Sequence, residues 1–306
     1  MKKISMKNAF FLLAGAFLLA INLTSCDKND NNDVVLPPIG GYNSSDEVGS
    51  ANLKSYWSLD GTANEIKSGT APTSSVGVTY TTGVKGQGAS FANGYIYFAS
   101  AVGGALASNQ PFSVSAWIQG TNNFVPGGNP PANNHPYQYF QMARPGQLFG
   151  NINLMYEAGA YSAASDTMFL KSLYSDAGGL QDAVNNYGVA GTDYKVVKKA
   201  GTGQWVHVVT TYNPAGGTGA QSIFRIYADS AQVNNVLFEN RGSNSFVYTP
   251  HEIIIGGWYN NIPGKTVSAD AWTTPFTGKI DEIRVYNKLL SRDEITALYQ
   301  LGKAGR

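Results

Sequence analysis

The stretch "FTGKIDEIRVYNKLLSRDEITALY" (276–299) decides how this chain is read. Its first part, "GKIDEIRVYN" (278–287), alternates as a strand does, with every second side chain on one face. Asp281, Ile283 and Val285 share one parity and read as the core face. Glu282, Arg284 and Tyr286 share the other and read as solvated. A carboxylate at 281 thus stands in line with core residues. The part that follows, "LSRDEITALYQLG" (290–302), reads as a helix. Ser291 with Glu294 makes a capping box, each side chain satisfying a free backbone N–H of the first turn. Ile295, Leu298 and Tyr299 form its apolar stripe, and Gly302 is its expected stop.

The same short-strand texture extends back to Leu53. "LKSYWSLDG" alternates and then turns at Asp60-Gly61. "GASFANGYIYFAS" (88–100) reads as two short strands around Asn93-Gly94, a hairpin signal. "PFSVSAWIQG", "NINLMYEA", "DTMFLKSLYS", "QWVHVVTTYN", "QSIFRIYADS" and "HEIIIGGWYN" follow, each bounded by Gly, Asn, Pro or Asp. Many short strands with frequent turn signals predict an all-β sandwich or barrel. The 35 glycines and 18 tyrosines of the 306-residue chain fit that class. With 43% hydrophobic and only 13% charged residues, and a net charge of +1, a packed core is expected and a nucleic-acid footprint is not.

The N-terminal segment stands apart. Lys2, Lys3 and Lys7 precede an apolar run from Ala9 to Ile21, which is shorter than the ~20 residues of a bilayer span. It has the build of a secretion signal. The run ends in "LTSC", which resembles the lipobox of bacterial lipoproteins. That resemblance makes Cys26, the single cysteine, a lipidation site and residues 1–25 a signal peptide. Loss of 1–25 moves the net charge from +1 to −2. Residues 26–52 are polar, acidic and rich in Pro and Gly, and read as a flexible tether. Acidic residues directly after the cysteine resemble a surface-export signal of Gram-negative lipoproteins. The expected location is therefore the outer membrane, lipid-anchored and surface-exposed. Residues 53–306 read as one domain.

Several pieces, in order, resemble one family: "YWSLDG" (56–61), "GVKGQGASFANGYIYF" (83–98), "FSVSAWIQ" (112–119), "GQWVHVVTTYN" (203–213), "RIYADSAQV" (225–233) and the stretch 276–299. They are similar to the laminin-G-like, concanavalin-A-like domains of bacterial surface proteins. The resemblance implies a jelly-roll sandwich of two antiparallel sheets with a short C-terminal helix. Residues 120–200 depart from it and are expected to build loops over one sheet. The resemblance also implies a structural calcium ion near the chain ends, with Asp60 and Asp281 at the matching acidic positions. Calcium takes hard oxygen ligands. The alternative is that Asp281 accepts backbone N–H bonds without metal.

No catalytic constellation emerges. There is no zinc-binding histidine spacing and no nucleophile elbow. His207 reads as a packed histidine; His135 lies among aromatic residues. Glu157 and Asp166 read as lying between strands, without the paired carboxylates that glycosidases use. Trp57, Trp117 and Trp205 read as core. Trp258, Tyr259, Trp272, Tyr137, Tyr139 and Arg144 sit at strand ends and in loops, where a ligand could stack, with Asn260, Asn261 and Asn134 as polar partners. The expected function is non-catalytic capture of a polysaccharide or host glycan, in company with a transporter complex. The alternative is a protein-binding adhesin or a structural component of a surface complex; a glycoside hydrolase or lyase is disfavoured.

Overall fold

The computed structural model describes residues 36–100, 102, 106, 110–124, 135–158, 162–176, 179–214, 221–241 and 252–306. Cys26 and Asn134 lie outside these residues. Fifteen strands and one helix form among the described residues. They are β1 Leu53–Trp57, β2 Ser74–Thr82, β3 Gln87–Phe98, β4 Phe112–Gly120, β5 Tyr137–Ala143, β6 Ile152–Ala158, β7 Thr167–Asp176 and β8 Gly179–Val184. Then come β9 Val197–Lys198, β10 Val206–Asn213, β11 Ser222–Ala228, β12 Ala231–Gln232, β13 Asn240–Arg241, β14 Glu252–Ile255, β15 Phe276–Tyr286 and helix α1 Arg292–Lys303.

The strands pair in the order β12-β11-β10-β4-β15-β3-β14-β5-β6-β7-β8. This path turns back on itself, so that its two ends face each other. Tyr174 of β7 packs 4.8 Å from Tyr212 of β10 and 5.1 Å from Phe224 of β11, ring centre to ring centre. The Ser172 and Thr210 hydroxyls share a hydrogen bond across the same layers, at 2.7 Å. The fold is thus the expected jelly-roll sandwich. Alternation fills it: Phe112, Val114, Ala116 and Ile118 of β4 and Ile152, Leu154 and Tyr156 of β6 all enter one core with Trp57.

Strand β15 holds the answer to the misplaced carboxylate. Its pairing with β4 shifts by one residue between Asp281 and Arg284. Glu282 sits in the shift with φ +52°. The extra residue makes a β-bulge, which changes the parity of everything after it. Ile280, Ile283 and Val285 therefore all face the core, and Asp281 faces away from it, beside its cross-strand partner Trp117. The expectation that Asp281 shares the core face is corrected by this one residue.

The other parity is corrected too. Glu282, Arg284 and Tyr286 are buried rather than solvated. A second layer covers them: Val48, Val209, Tyr227, Tyr286 and Leu290 pack with Ile295, Leu298 and Leu301 of α1. The capping box forms as expected, with Ser291 Oγ accepting from the Glu294 N–H and Glu294 from the Ser291 N–H. Gly302 is not the stop. It lies inside the last turn, where a Cβ would come within 2.5 Å of the Trp117 ring. The left-handed residue after the helix is Gly305, at φ +68°.

Three further expectations change. Asn93-Gly94 is no hairpin: β3 runs straight through it, pairing with β2 on one side and β15 on the other. Asn93 takes φ +52° to make a bulge, and a Cβ on Gly94 would collide with Val76 O at 2.5 Å. The stretch 120–200 supplies β5 to β8 as regular sheet strands, β6 and β7 where "NINLMYEA" and "DTMFLKSLYS" were read as strands, rather than an insertion of loops over a sheet. Finally, the folded unit begins at Pro37, not Leu53. Residues 37–52 form a clasp containing two 3-10 turns, Ser45–Glu47 and Ser50–Asn52. Val48 plugs it into the layer under α1. Arg306 donates to Asn43 O and Pro37 O, both at 3.0 Å. Val48, the partly buried Ile39 and Tyr42, and a set of polar contacts anchor this segment; so few apolar residues in a polar stretch are why its composition reads as tether.

Candidate functional site

Two places gather the residues singled out by the sequence. The first is the closing rim, where β1, β15 and the turn 83–87 meet. Asp281 is fully buried. Its Oδ2 accepts the Val84 N–H at 2.7 Å and its Oδ1 the Glu282 N–H at 2.9 Å. Burial and the neighbouring Glu282 push its carboxyl up from 3.8 to about 8. Asp60 approaches the same turn from the other side and accepts the Gln87 N–H at 2.5 Å. Beside them, Glu282 takes a 2.6 Å bond from the Tyr56 hydroxyl and pairs with Arg284 at 2.5 Å. Arg284 also reaches Asp46 of the clasp at 2.7 Å.

As a calcium shell this rim offers a poor fit. Calcium takes 6–8 oxygens. Both Asp281 oxygens are already turned onto N–H donors, and among the described residues no three His, Cys, Asp or Glu side chains converge on one point. The two aspartates act as acceptors that pin the turn 83–87.

The second place is a groove of about 660 Å³ on the outer face of β6, β7 and β8. Period-2 alternation builds its floor. While Leu154 and Tyr156 of β6 enter the core, Met155 and Glu157 face out; on β7, Leu173 and Lys171 do the same. Trp258, Trp272 and Phe149 form its wall. The two indoles meet edge to face with centres 5.1 Å apart, and Phe149 lies 5.8 Å from Trp258 and 6.4 Å from Trp272. Lys171 Nζ and Glu157 Oε1 pair at 2.6 Å on the floor. Asp182 and Asn186 complete the polar edge.

The loop that carries the indoles is tied by its own asparagines. Asn261 Oδ1 accepts the Trp258 N–H at 2.8 Å, and its Nδ2 donates to Thr273 O at 2.8 Å. Asn260 Nδ2 donates to Ser268 O at 3.1 Å. These two residues, expected as ligand contacts, position Trp258 and Trp272 instead. Arg144 does likewise: its guanidinium donates to Phe149 O at 3.1 Å.

Of the six residues expected to meet a ligand, Trp258 and Trp272 come together. Trp258 is fully buried and forms the back of the wall, its Nε1 donating to Pro136 O at 3.1 Å. Trp272 is the partly exposed member. Tyr139 is only 1% exposed and lies between the sheets. Tyr137 packs 5.5 Å from Phe276, at the edge of the core. Tyr259 is buried under the loop, where its hydroxyl accepts the Gly146 N–H at 3.1 Å. Burial of Tyr139 and Tyr259 leaves them no open face for a ligand, which corrects their expected accessibility. Glu157 lies within β6 and has a partner, contrary to its reading as an unmatched residue between strands. Asp166 does precede β7, with Lys198 at 3.6 Å. His207 is packed as expected: burial, then the charge of Arg284, hold its imidazole down at about 3, and its Nε2 shares a 2.8 Å bond with Ser115 Oγ.

The sequence reading missed Phe149, Met155, Lys171, Leu173, Asp182 and Asn186. The available signal was in "NINLMYEA" and "DTMFLKSLYS", where apolar residues fall on both parities. A strand with two apolar faces has a second surface to cover or to use.

The family model described as the concanavalin A-like lectin/glucanases superfamily matches residues 151–296. The match begins inside the stretch expected to depart from the family. No curated protein matches the chain. Among solved structures, domain 4 of AbnA, an extracellular arabinanase from Geobacillus stearothermophilus in complex with arabinotriose, aligns at TM-score 0.50 and 17% identity over 81% of this chain and 98% of that one. The binding domain of Paraclostridial Mosquitocidal Protein 1 aligns at 0.51 and 13% identity over 81% of this chain. The binding domain of botulinum neurotoxin serotype D/C aligns at 0.52 and 15% identity over 84%. The chain spans about half the length of those two toxin domains, 52% and 53%. At such identities the likeness is one of fold, and with the strand order above it makes the fold of this chain a concanavalin A-like jelly roll.

Proposed function

We infer that the groove on β6–β8 binds an oligosaccharide and that the protein is a non-catalytic glycan-binding lipoprotein. The observation that carries this reading is the wall of Trp258, Trp272 and Phe149 beside the Lys171–Glu157 pair. Sugar rings have apolar faces that stack on indole, and ordered polar edges meet their hydroxyls. Arabinotriose on the AbnA domain gives the reading a precedent of the same fold.

The carboxylates of the groove suit binding better than hydrolysis. Glu157 stands opposite Phe169, and Asp182 opposite Leu173, on the strand between them. Ordinary strand rise and spacing then separate the two backbone positions by about 16 Å. Both side chains would have to extend toward each other to approach the roughly 5–9.5 Å between the carboxyl groups of glycosidase pairs. Glu157 is also held by Lys171.

The placement proposed is the outer membrane, tethered through a lipid on Cys26 and facing outward, where a captured glycan could pass to a transporter. Among the described residues no helix is long and apolar enough to cross a membrane. Conversion of Cys26 to Ala should move the protein from the membrane fraction to the soluble one. A glycan array probed with residues 27–306 tests the binding: a defined neutral sugar class should light up, and Trp272→Ala should darken it. A blank array from folded protein would overturn the reading.

A second reading, protein binding, draws on a different feature. Val236 and Leu237 are exposed, the latter by 79%, beside the stacked rings of Tyr187 and Phe238 at 4.4 Å. Exposed apolar clusters of this kind mark contact surfaces. Retained pull-down of a surface protein by Trp272→Ala, and its loss in Leu237→Asp, would favour it.

A further inference from the structure

Of the three tryptophans read as core, Trp57 lies between the sheets and Trp117 is buried, at 4% exposure, outside that cluster. Trp117 points to the opposite side of β4, and Trp205, just before β10, is half-buried. Both line a cleft of about 460 Å³ between the end of β4, the 203–205 turn and the last turn of α1. This cleft lies on the outer face of the β4–β10 layer, whereas the groove lies on the outer face of β6–β8.

Its walls are aromatic and its rim is cationic. Trp117 and Tyr299 stack with centres 5.8 Å apart and planes 18° apart. Gly302 allows the helix to press the two together, since a Cβ there would collide with the indole. Lys303 Nζ lies 5.5 Å above the Tyr299 ring and makes no ion pair among the described residues. Lys199 Nζ is fixed at the other side by Asp229 at 2.6 Å and by Trp205 O at 2.9 Å. Gln204 adds an exposed side-chain amide to the rim.

An aromatic wall takes the apolar face of a sugar ring. An uncommitted ammonium at its edge favours a negative substituent. The groove differs, because its one lysine is neutralised by Glu157 and its edge carries Asp182. We propose that the Trp117–Trp205–Tyr299 cleft is a second saccharide site, specific for carboxylated sugars, with Lys303 as the carboxylate contact and Trp205 as the stacking residue. It stands independently of the groove reading.

The test is calorimetric titration of the full chain with galacturonate, glucuronate and sialylated trisaccharides, and with their methyl esters. At least one acid should bind, and its ester should bind more weakly. Lys303→Ala should weaken the acid by about fivefold, the upper range for an exposed charge pair. Trp205→Ala should weaken it by about tenfold, the upper range for an aromatic contact. Trp272→Ala, on the other face, should leave it unchanged. Lys303 is exposed, so its variant will fold even if Trp205→Ala does not. No binding by any acid, equal binding of acid and ester, or an unchanged affinity in Lys303→Ala would each overturn the proposal. Loss of acid binding in Trp272→Ala would assign it to the groove instead. Neutral-glycan binding lost in Trp272→Ala reports on the groove alone, so the two readings fail separately.

Discussion

The closing rim and the groove use the same residue types to opposite ends. At the rim, Asp281, Glu282 and Arg284 are buried; Glu282 and Arg284 meet as an ion pair, and Asp281 accepts backbone N–H bonds. Tyr56 lies under the Arg284 guanidinium at 4.3 Å. In the groove, Glu157 and Lys171 meet at the surface, and Trp272 remains partly open. A buried charge is tolerated only when its partners are fixed in advance. Such partners belong to the fold, leaving nothing to offer a ligand. An open ring beside a surface pair has contacts still to make. The difference teaches that the rim spends its polar groups on the fold, whereas the groove keeps an aromatic face partly open.

The largest test of that contrast is Arg284→Met. It strands Glu282 as a buried charge, and urea unfolding should show a loss of about 3–5 kcal/mol. The double change Arg284→Met with Glu282→Gln should recover part of it; no recovery would sink the ion-pair account. In the groove the opposite pattern is expected. Trp272→Ala should weaken glycan binding by about tenfold in calorimetry while leaving the melting temperature nearly untouched. A large drop in stability with unchanged affinity would erase the contrast.

A subtler test uses pH. The Asp281 carboxyl is raised from 3.8 to about 8 by burial and by Glu282. The folded state therefore holds a proton that the unfolded state releases. The stability from that proton is complete below about pH 4 and is lost as pH rises through about 8. His207 works the other way: burial lowers it from 6.5 to about 3, so its contribution is lost as pH falls across that window. The difference in melting temperature between wild type and Asp281→Asn should therefore shrink steadily from pH 4 to 8. A constant difference would show that Asp281 does not titrate in this range. The smallest expected effect is that of calcium. Because the rim aspartates already accept N–H bonds, adding calcium or a chelator should leave the melting temperature unchanged; a calcium-dependent rise would restore the metal reading.

Much of the fold was legible from local chemistry. The capping box of Ser291 and Glu294 needs only residues three apart, and it forms as read. The strands of alternating residues are likewise where their periodicity puts them. What local reading missed depends on neighbours distant in sequence. The bulge at Glu282 follows from pairing with β4 and β1, and Asn93-Gly94 becomes a bulge only because β2 and β15 flank it. The candidate site was half legible. Aromatic residues in "GGWYNN" and "SADAWTTP" pointed to the right loop, and Trp258 and Trp272 meet there. Nothing local distinguishes Trp272 from the buried Tyr259, or reveals that Asn261 spends its amide on Thr273. Met155, Glu157, Lys171 and Leu173 fell in stretches read as strands, but which strands are neighbours, and so which side chains share a face, is set by long-range pairing.

The clasp also has a mechanical meaning. Load entering from the N-terminal side reaches Pro37 and its bond to Arg306 first. It reaches Val48 and the Asp46–Arg284 pair next, and β1, hydrogen-bonded along β15, last. Bonds loaded in sequence yield one at a time, whereas a paired strand resists as a unit. Residues 37–52 would unpeel as a fuse, paying out about 50 Å of chain before the sandwich feels the pull.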